Sequence, residues 1–572
     1  MTNEIKRRYE LWCNRADKDA DLIPELTAMK NDENEINEAF YKDLEFGTAG
    51  LRGIIGAGTN RLNIYTVGKA TQGLAAYINS ITKNGSVAVS YDSRIKSDVF
   101  AREAAEVFAA NGIKVYIYKT LMPVPMLSFA VRYLKCDAGV MITASHNPSK
   151  YNGYKAYDST GCQLGPEAAD YVLGIMNSVD IFDGVKRTDF DAAMKNGLIE
   201  YIDDSVINAY LDEVIKARVS TDIDMSALKV IYTPLNGSGN KPVREILRRV
   251  GITDVTVVKE QENPDGNFPT APYPNPEIRE AFRLALDLAE TVKPDILLAT
   301  DPDCDRVGVA VNYGGEYKLI TGNDMGVLLL NYILSRRKEL GTLPANPVAV
   351  KTIVSSELCK KIAENYGCEL REVLTGFKFI GEQITDLEKH GEENRYVFGY
   401  EESYGYLIGT HARDKDAVVG SLMICEMAAY YKAAGLNLIE QLENIYKQYG
   451  YFLTVQKSFV SEGQAGLKKI ADTMVKIRNN PPKTLAGTTV RIFKDFQSSE
   501  ALFTESGKTE MINLPKSNVL AFYLSDGSSA IVRPSGTEPK IKLYVNAVGT
   551  TESDAEKRRE EILKAGEELL AF

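Results

Sequence analysis

The residues with most chemistry to offer lie in Met141-Ile142-Thr143-Ala144-Ser145-His146-Asn147-Pro148. A hydroxyl, an imidazole and an amide follow one another there, and Pro148 confines Asn147 to extended geometry. Ser145 on such a loop can be a nucleophile or carry a phosphoryl group, although a lone serine at a strand end is more often a turn or cap residue. A second group is Asp301, Asp303 and Asp305, alternating within Thr300–Arg306. Carboxylates without His or Cys are hard oxygen donors suited to Mg²⁺ or Ca²⁺, and at this spacing they repel unless a cation neutralises them. An EF-hand is excluded, because Arg306 and Asn312 stand where that loop needs glycine and glutamate.

Further candidates are cationic or sugar-like in chemistry. Arg533-Pro534-Ser535-Gly536-Thr537-Glu538-Pro539-Lys540 offers a guanidinium, two hydroxyls and backbone amides, an anion cradle if it is more than a tight turn. Arg52 sits among glycines in Phe46–Gly53, where close ligand approach is possible, but the spacing is neither a P-loop nor a dinucleotide fingerprint. Glu401 and Ser403, flanked by Gly399 and Gly405, can hydrogen-bond sugar hydroxyls, or serve as ordinary strand-end polar residues. His411, Arg413 and Lys415 form a cationic stretch whose plainer reading is a solvated face.

The elements that must hold these residues alternate. Ser86–Tyr91 reads as a strand ending at Asp92-Ser93-Arg94, residues 98–111 as an amphipathic helix, Lys114–Tyr118 as a strand and 123–135 as a helix. The strand Ala138–Ile142 then delivers Ser145, with Lys155 beyond a turn. Such alternation predicts parallel pairing with both faces covered, and ligands at the carboxyl ends of strands. A second unit holds strand Leu228–Tyr232, an irregular loop at 263–277 and strand Asp295–Ala299, which runs into the acidic loop. A third holds strand Val348–Val354, a helix at 356–365, strand Glu369–Leu374, a loop Thr375–Gly381 and strand Tyr396–Gly399. After about residue 449 the pattern changes to strands at 452–459, 488–493, 519–523 and 540–545 with helices near 464–478 and 552–570, a smaller α+β domain with an antiparallel sheet. Residues 1 to about 35 read as a helical extension docked through Tyr9, Leu11, Trp12, Leu22 and Leu26.

Composition sets bounds. A chain of 572 residues exceeds one core. A net charge of -11 argues against a nucleic-acid surface. Seven cysteines without CxxC pairing fit a reducing cytoplasm, not a disulfide framework or zinc site. No apolar stretch suits a membrane span or a secretory leader. Three histidines disfavour a His-rich metal centre.

Taken together, the motifs resemble the α-D-phosphohexomutase family, in its phosphoglucomutase/phosphopentomutase branch. TASHNP (143–148) is similar to the phosphoserine loop, DPDCDR (301–306) to the metal loop, YEESYG (400–405) to the sugar loop and RPSGTEPK (533–540) to the phosphate loop. GTAGLRG (47–53) resembles the N-terminal arginine turn, and the chain length and TGFKFIG (375–381) resemble the branch. Glu402 beside Glu401 is similar to glucose-1-phosphate mutases, while Tyr400 replaces the glycine many members carry before the glutamate.

The resemblance implies three similar mixed α/β domains plus a C-terminal α+β domain around a central cleft, divided at 1–206, 207–322, 323–449 and 450–572. It implies Ser145 as phosphoryl carrier, with Ser145, Asp301, Asp303 and Asp305 holding one Mg²⁺. Lys155, His411 and Lys415 become acid–base candidates, a lysine base among them needing a depressed pKa, which neighbouring cations and Mg²⁺ would favour, and His146 a catalytic-loop residue that orients more than it transfers protons. Arg52, Arg306, Thr375, Gly376, Lys378, Glu401, Ser403, Arg413, Arg533, Ser535, Gly536 and Thr537 become substrate contacts. The expected reaction interconverts glucose 1-phosphate and glucose 6-phosphate through glucose 1,6-bisphosphate, in a cytoplasmic monomer or weak dimer. Pentose or mannose phosphates are the alternative substrates. A non-catalytic sugar-phosphate binder and a haloacid-dehalogenase-like phosphotransferase using Asp301 are the rival readings.

Overall fold

The computed structural model describes residues 2–47, 50–461, 463–535 and 540–571, with side chains of 463–465 excepted. Gly536 and Thr537, two of the expected phosphate contacts, lie outside the described residues. The chain forms two compact units: Met1–Ile320 with Ile380–Tyr396 and Ser403–Ala433, and Thr321–Phe379 with Val397–Glu402 and Ala434–Phe572.

The first unit contains two sheets. In the six-stranded one, Lys114–Ile117, Ser86–Tyr91 and Ala138–Ile142 pair in parallel, as the alternation predicts. The pattern then changes direction. Tyr151–Asp158 runs antiparallel to Ala138–Ile142, and Gly50–Ile54 antiparallel to it in turn. The sheet is therefore mixed rather than all-parallel, and Ser145 sits in the connection of an antiparallel pair. Lys155 is on a strand, opposite Met141, and not merely beyond a turn. Gly153 permits this crowding, since a Cβ there would lie 2.4 Å from the Thr143 carbonyl oxygen and 2.8 Å from that of Leu51. The five-stranded sheet repeats the mixture: Ile296–Thr300 is parallel to Val230–Thr233 and antiparallel to Val307–Tyr313. Its five residues are all buried, as a run of consecutive apolar side chains covered on both faces requires. Both reactive motifs thus leave a buried central strand and return on an antiparallel one.

The N-terminal helices Asn3–Arg15, Leu22–Ala28 and Glu33–Phe40 dock as expected through Tyr9, Trp12, Leu22 and Leu26. Trp12 is 1% exposed and meets Phe40, Tyr65 and Phe182 edge-on. Leu11 is corrected: it is 46% exposed, on the outward face of the helix.

In the second unit Val348–Thr352 has Glu369–Val373 as a parallel neighbour and Tyr396–Glu401 on its other side. The expected loop Thr375–Gly381 is also corrected, because the helix Phe377–Lys389 begins inside it. Phe377 and Ile380 are buried, and that apolar spacing continues the helical period backwards into the motif. Tyr400 is a core residue. It is 1% exposed, stacks on Phe398 at 5.6 Å, and occupies space that a Cβ on Gly326 would take at 2.2 Å. Strand alternation turns Glu401 to the opposite face, so the substitution of Tyr for Gly leaves that carboxylate's direction unchanged. The C-terminal sheet is antiparallel, ordered Tyr451–Val460, Lys540–Gly549, Ser529–Pro534, Leu520–Leu524, Thr488–Asp495, Glu500–Phe503 and Lys508–Met511. Its last hairpin escapes sequence reading because Lys508–Met511 is exposed throughout and carries no alternating pattern.

Candidate active site

Ser145 is 3% exposed and held at φ 54°. A left-handed conformation costs a non-glycine residue about 1–2 kcal/mol, so the surroundings must impose it. They do so from several elements. The Ser145 N–H donates to Thr143 Oγ1 at 2.8 Å. Arg94, at the end of the neighbouring parallel strand, donates to the carbonyls of Ser145, Asn147, Pro148 and Tyr151. Its guanidinium is completely buried, pairs with Asp92 at 3.3 Å and lies 5.1 Å from the Phe268 ring centre. Thr143 Oγ1 is in turn 2.6 Å from Asp92 and 3.1 Å from Asp303. Cys304, within the acidic loop, is likewise held at φ 51°.

The acidic loop meets the serine directly. Ser145 Oγ donates to Asp301 Oδ2 at 2.9 Å, and His146 Nδ1 is 3.2 Å from the same hydroxyl. Asp301 Oδ1 accepts the backbone N–H groups of Asp305 and Arg306 at 3.1 and 3.0 Å. Ligand atoms of Asp301, Asp303 and Asp305 all lie within 4.8 Å of one another, and the three residues are buried. Asp303 Oδ1 and Asp305 Oδ1 are buried with no hydrogen-bond partner. Buried orphan carboxylate oxygens are costly, and two of them converging with a third carboxylate are what an oxygen-loving cation needs. The donor set fits a metal ion.

Cations surround this loop. Lys155 Nζ lies 2.8 Å from Asp303 and 3.3 Å from Asp305, while Lys415 Nζ is 3.1 Å from Asp305 and 3.4 Å from Asp414. Arg306 pairs with Glu277 at 2.6 Å and reaches Asp305 at 3.7 Å. Burial and the neighbouring Asp303 and Asp305 hold Asp301 well above the usual carboxylate range. Burial also works to raise Asp305, but Lys415 and Lys155 outweigh it and hold that carboxylate ionised. The depressed pKa that a lysine base would need is not met at Lys155: burial pulls it down, yet Asp303 and Asp305 win and raise it. Lys155 is thereby held in its charged form. His146 goes the other way, lowered by burial and by Arg306 and Arg52. A neutral ring beside Ser145 suits the orienting role.

Arg52 reaches Asn147 Oδ1 at 3.3 Å and so borders the serine loop. His411 Nε2 is 2.8 Å from Asp416, which also accepts from Tyr210 at 2.9 Å, and its buried Nδ1 has no hydrogen-bond partner. Arg413 is corrected as a substrate contact. It is fully buried, with its guanidinium bound to the Thr410 and Ala412 carbonyls, Thr385 and Glu388, and it braces the chain that carries His411 and Lys415. Ser403 is half-buried in the turn within the sugar motif, where the Tyr404 carbonyl accepts the Val307 N–H at 3.1 Å.

The second unit brings together the other candidates. Glu401, 5% exposed, accepts the Gly376 N–H at 2.8 Å. Thr375 Oγ1 is buried without a hydrogen-bond partner, and Lys378 lies over the Phe379 ring at 4.9 Å. Arg533 and Ser535 line a cavity of about 180 Å³ with Pro534, Lys540 and Lys542. Lys542 is opposite Arg533 in the sheet register. Sequence reading stopped at Lys540, although two residues on along a strand returns to the same face. Asp92, Arg94 and Thr143 were legible only as strand-end polar residues; their convergence needed the fold.

Comparison with known proteins agrees with this geometry. Residues 43–181, 208–315 and 321–449 match phosphoglucomutase/phosphomannomutase alpha/beta/alpha domains I, II and III, and 484–565 match the C-terminal domain of that family. The phosphoglucomutase of Staphylococcus saprophyticus is 39% identical over 513 residues, 90% of this chain and 92% of that protein. The Staphylococcus aureus phosphoglucomutase is 39% identical over 539 residues, covering 94% and 95%. The crystal structure of parafusin, a phosphoglucomutase from Paramecium, shares the fold with a TM-score of 0.69 at 18% identity, covering 93% of this chain and 96% of that one. With four domain matches in order and this extent of identity, the chain belongs to the phosphoglucomutase/phosphomannomutase family of α-D-phosphohexomutases.

Proposed function

We propose that this enzyme interconverts glucose 1-phosphate and glucose 6-phosphate, with Ser145 as the residue that carries the phosphoryl group. The observation that carries this reading is the Ser145 hydroxyl 2.9 Å from Asp301 in a loop pinned by Arg94. In the first half-reaction the phosphoryl group passes from the Ser145 oxygen to the free hydroxyl of the sugar monophosphate, whose proton is taken up while the Ser145 oxygen regains one. In the second, the other phosphoryl group of the 1,6-bisphosphate passes to the Ser145 hydroxyl, whose proton is lost while the sugar oxygen left behind gains one. The bisphosphate turns over between the two halves. Glucose 1,6-bisphosphate serves as intermediate and primer.

The chain's own residues supply position and charge. Asp301, Asp303, Asp305 and the Ser145 oxygen would hold Mg²⁺, which supplies charge neutralisation for the transferring group. In this reading Lys155, charged beside Asp303, gives the proton, and Lys415, beside Asp305, and His411 are the candidates for taking it. His146 orients Ser145, and Arg52 and Arg306 steady the loops. Glu401, Thr375, Gly376, Lys378 and Ser403 read the sugar. Arg533, Ser535, Lys540 and Lys542 grip the phosphate that is not reacting, joined on the family resemblance by Gly536 and Thr537. We keep the domain division at 206, 322 and 449 and a cytoplasmic monomer or weak dimer as part of this reading. Among the described residues no helix is long and apolar enough to cross a membrane.

The test is turnover by the full chain with Mg²⁺ and glucose 1,6-bisphosphate. Glucose 1-phosphate should be the fastest substrate, ahead of ribose, deoxyribose and mannose 1-phosphates measured on the same preparation. A higher kcat/KM for a pentose phosphate would move the assignment to a phosphopentomutase.

A further inference from the structure

Glu402 follows Glu401 at the end of the strand Tyr396–Glu401 and has a separate set of partners. Its Oε2 accepts the Thr352 hydroxyl at 3.1 Å, and Thr352 Oγ1 lies 2.8 Å from Ser355 Oγ. Thr352 and Ser355 are both completely buried. Behind them the buried Lys351 ammonium donates to the carbonyls of Thr352 and Ser355 at 3.4 and 3.3 Å. The same ammonium pairs with Glu357 at 3.2 Å and Glu372 at 2.8 Å. Glu402 is therefore the outer end of a relay through the Thr352 and Ser355 hydroxyls, two residues whose backbone carbonyls are held by the buried Lys351 ammonium.

That relay has two polarities. With Glu402 ionised, Thr352 donates to the carboxylate and Ser355 donates to Thr352. With Glu402 protonated, the carboxyl donates to Thr352, which donates to Ser355. Among the described residues, the groups that face Glu402 are Glu401 and Tyr400 from its own strand, Thr352 and Ser355 from the neighbouring strand end, and Lys542 and Tyr544 from Lys540–Gly549. Burial and the Glu401 carboxylate push Glu402 up to about 7, against the opposing pull of Lys542 and the Thr352 hydroxyl. The change of polarity thus falls in the physiological range.

We propose that Glu402 is a positioning residue that sets how tightly the sugar phosphate is held. In its neutral form it leaves the negative charge to Glu401 and leaves Lys542 to the phosphate. In its ionised form, with its proton gone to solvent, it reverses the Thr352–Ser355 pair and competes for Lys542. The inference rests on the sugar and phosphate roles given above to Glu401 and Lys542.

The test compares wild-type enzyme and Glu402→Gln between pH 5.5 and 8.5, measuring kcat and KM for glucose 1-phosphate with Mg²⁺ and primer. The ratio of wild-type KM to variant KM should rise about 3- to 10-fold across pH 7, a local charge effect, while the kcat ratio stays level. Ionisation of the substrate phosphate is common to both proteins and cancels. A level KM ratio overturns the proposal, and so does a change confined to kcat. A second readout needs no turnover: the melting temperature of Glu402→Gln should gain on wild type from pH 5 to pH 8, because only the wild type must either bury a charge or keep a proton. A constant margin overturns the titration. Absence of turnover by wild type on every sugar phosphate would refute the phosphomutase reading itself, and melting would still decide the state of Glu402.

Discussion

The serine and acidic loops of the first unit and the phosphate cradle of the second are both charged, but they are built on opposite plans. Around Ser145 nearly every charge is buried beside an opposite partner: Arg94 with Asp92, Lys155 with Asp303, Lys415 with Asp305. Among the described residues that line the small cavity at Arg533 the charge is of one sign, carried by Arg533, Lys540 and Lys542 at intermediate burial. A reacting centre must be in place before the charge develops, and fixed dipoles and ions at low dielectric accomplish that. A site that takes hold of a dianion and lets it go is better left short of negative charge. On the proposed function, the difference separates residues that build the transition state from residues that retain the ligand.

Four experiments would break or sharpen that contrast. The largest effect is expected of Ser145→Ala, with turnover falling about 10⁴-fold or more while circular dichroism and the melting transition stay close to wild type. Retained turnover would remove Ser145 from the reaction. An acid-labile, hydroxylamine-sensitive phosphoenzyme would point instead to Asp301, whose oxygens are here already engaged by two backbone N–H groups and Ser145. Next comes chelation, which should abolish activity and allow Mg²⁺ to restore it. Because three crowded carboxylates gain a partner, added Mg²⁺ should also raise the melting temperature, and an unchanged melting curve would count against the triad as the metal site.

The third experiment moves to the framework of the second unit. Glu372 is held down at about 2: burial opposes the shift, but Lys351 and Lys360 overcome it. A folded-state value below the unfolded carboxylate value means that its stabilisation is present above about pH 4.3 and is lost as pH falls toward about 2. At pH 7 Glu372→Gln should therefore cost about 3 kcal/mol of unfolding free energy, shrinking toward zero near pH 2. Equal costs at pH 7 and pH 3 in denaturant titrations would show that the pair contributes through packing alone. The smallest effect is expected of Arg533→Ala. Loss of charge-assisted hydrogen bonds worth about 1.5–3 kcal/mol should raise KM about 10- to 100-fold, with kcat much less affected. A fall confined to kcat would place Arg533 with the reacting groups and erase the distinction between the two regions.

Most of the reactive chemistry was readable from local spacing. The Ser145 loop, the three aspartates and the Arg533 turn are each confined to a few consecutive residues, and a buried apolar strand before each of the first two marks where the loop must emerge. Alternating elements likewise revealed α/β units followed by an antiparallel domain. The antiparallel return strand at Tyr151–Asp158 was harder, because its residues alternate poorly and Gly153 is there for backbone approach rather than for strand propensity. The Phe377 helix was hidden by a glycine and a lysine that look like loop punctuation. Arg413 shows the opposite error: a cation in a polar motif, it reads as a ligand contact, yet the fold buries it completely.

The amino-acid order alone thus specified which functional groups exist and which of them share a loop, since covalent spacing confines a few residues to one neighbourhood. Only the tertiary structure decided their ionisation and their company. Lys155 comes to Asp303 and Asp305 from a strand far away in sequence, and that approach raises its pKa where a lysine base would need it depressed. Lys542 joins Arg533 through antiparallel register, and Glu402 finds Thr352 across a strand boundary. Desolvation and Coulomb interactions depend on distances through space, and these are fixed when the chain packs, not when it is written.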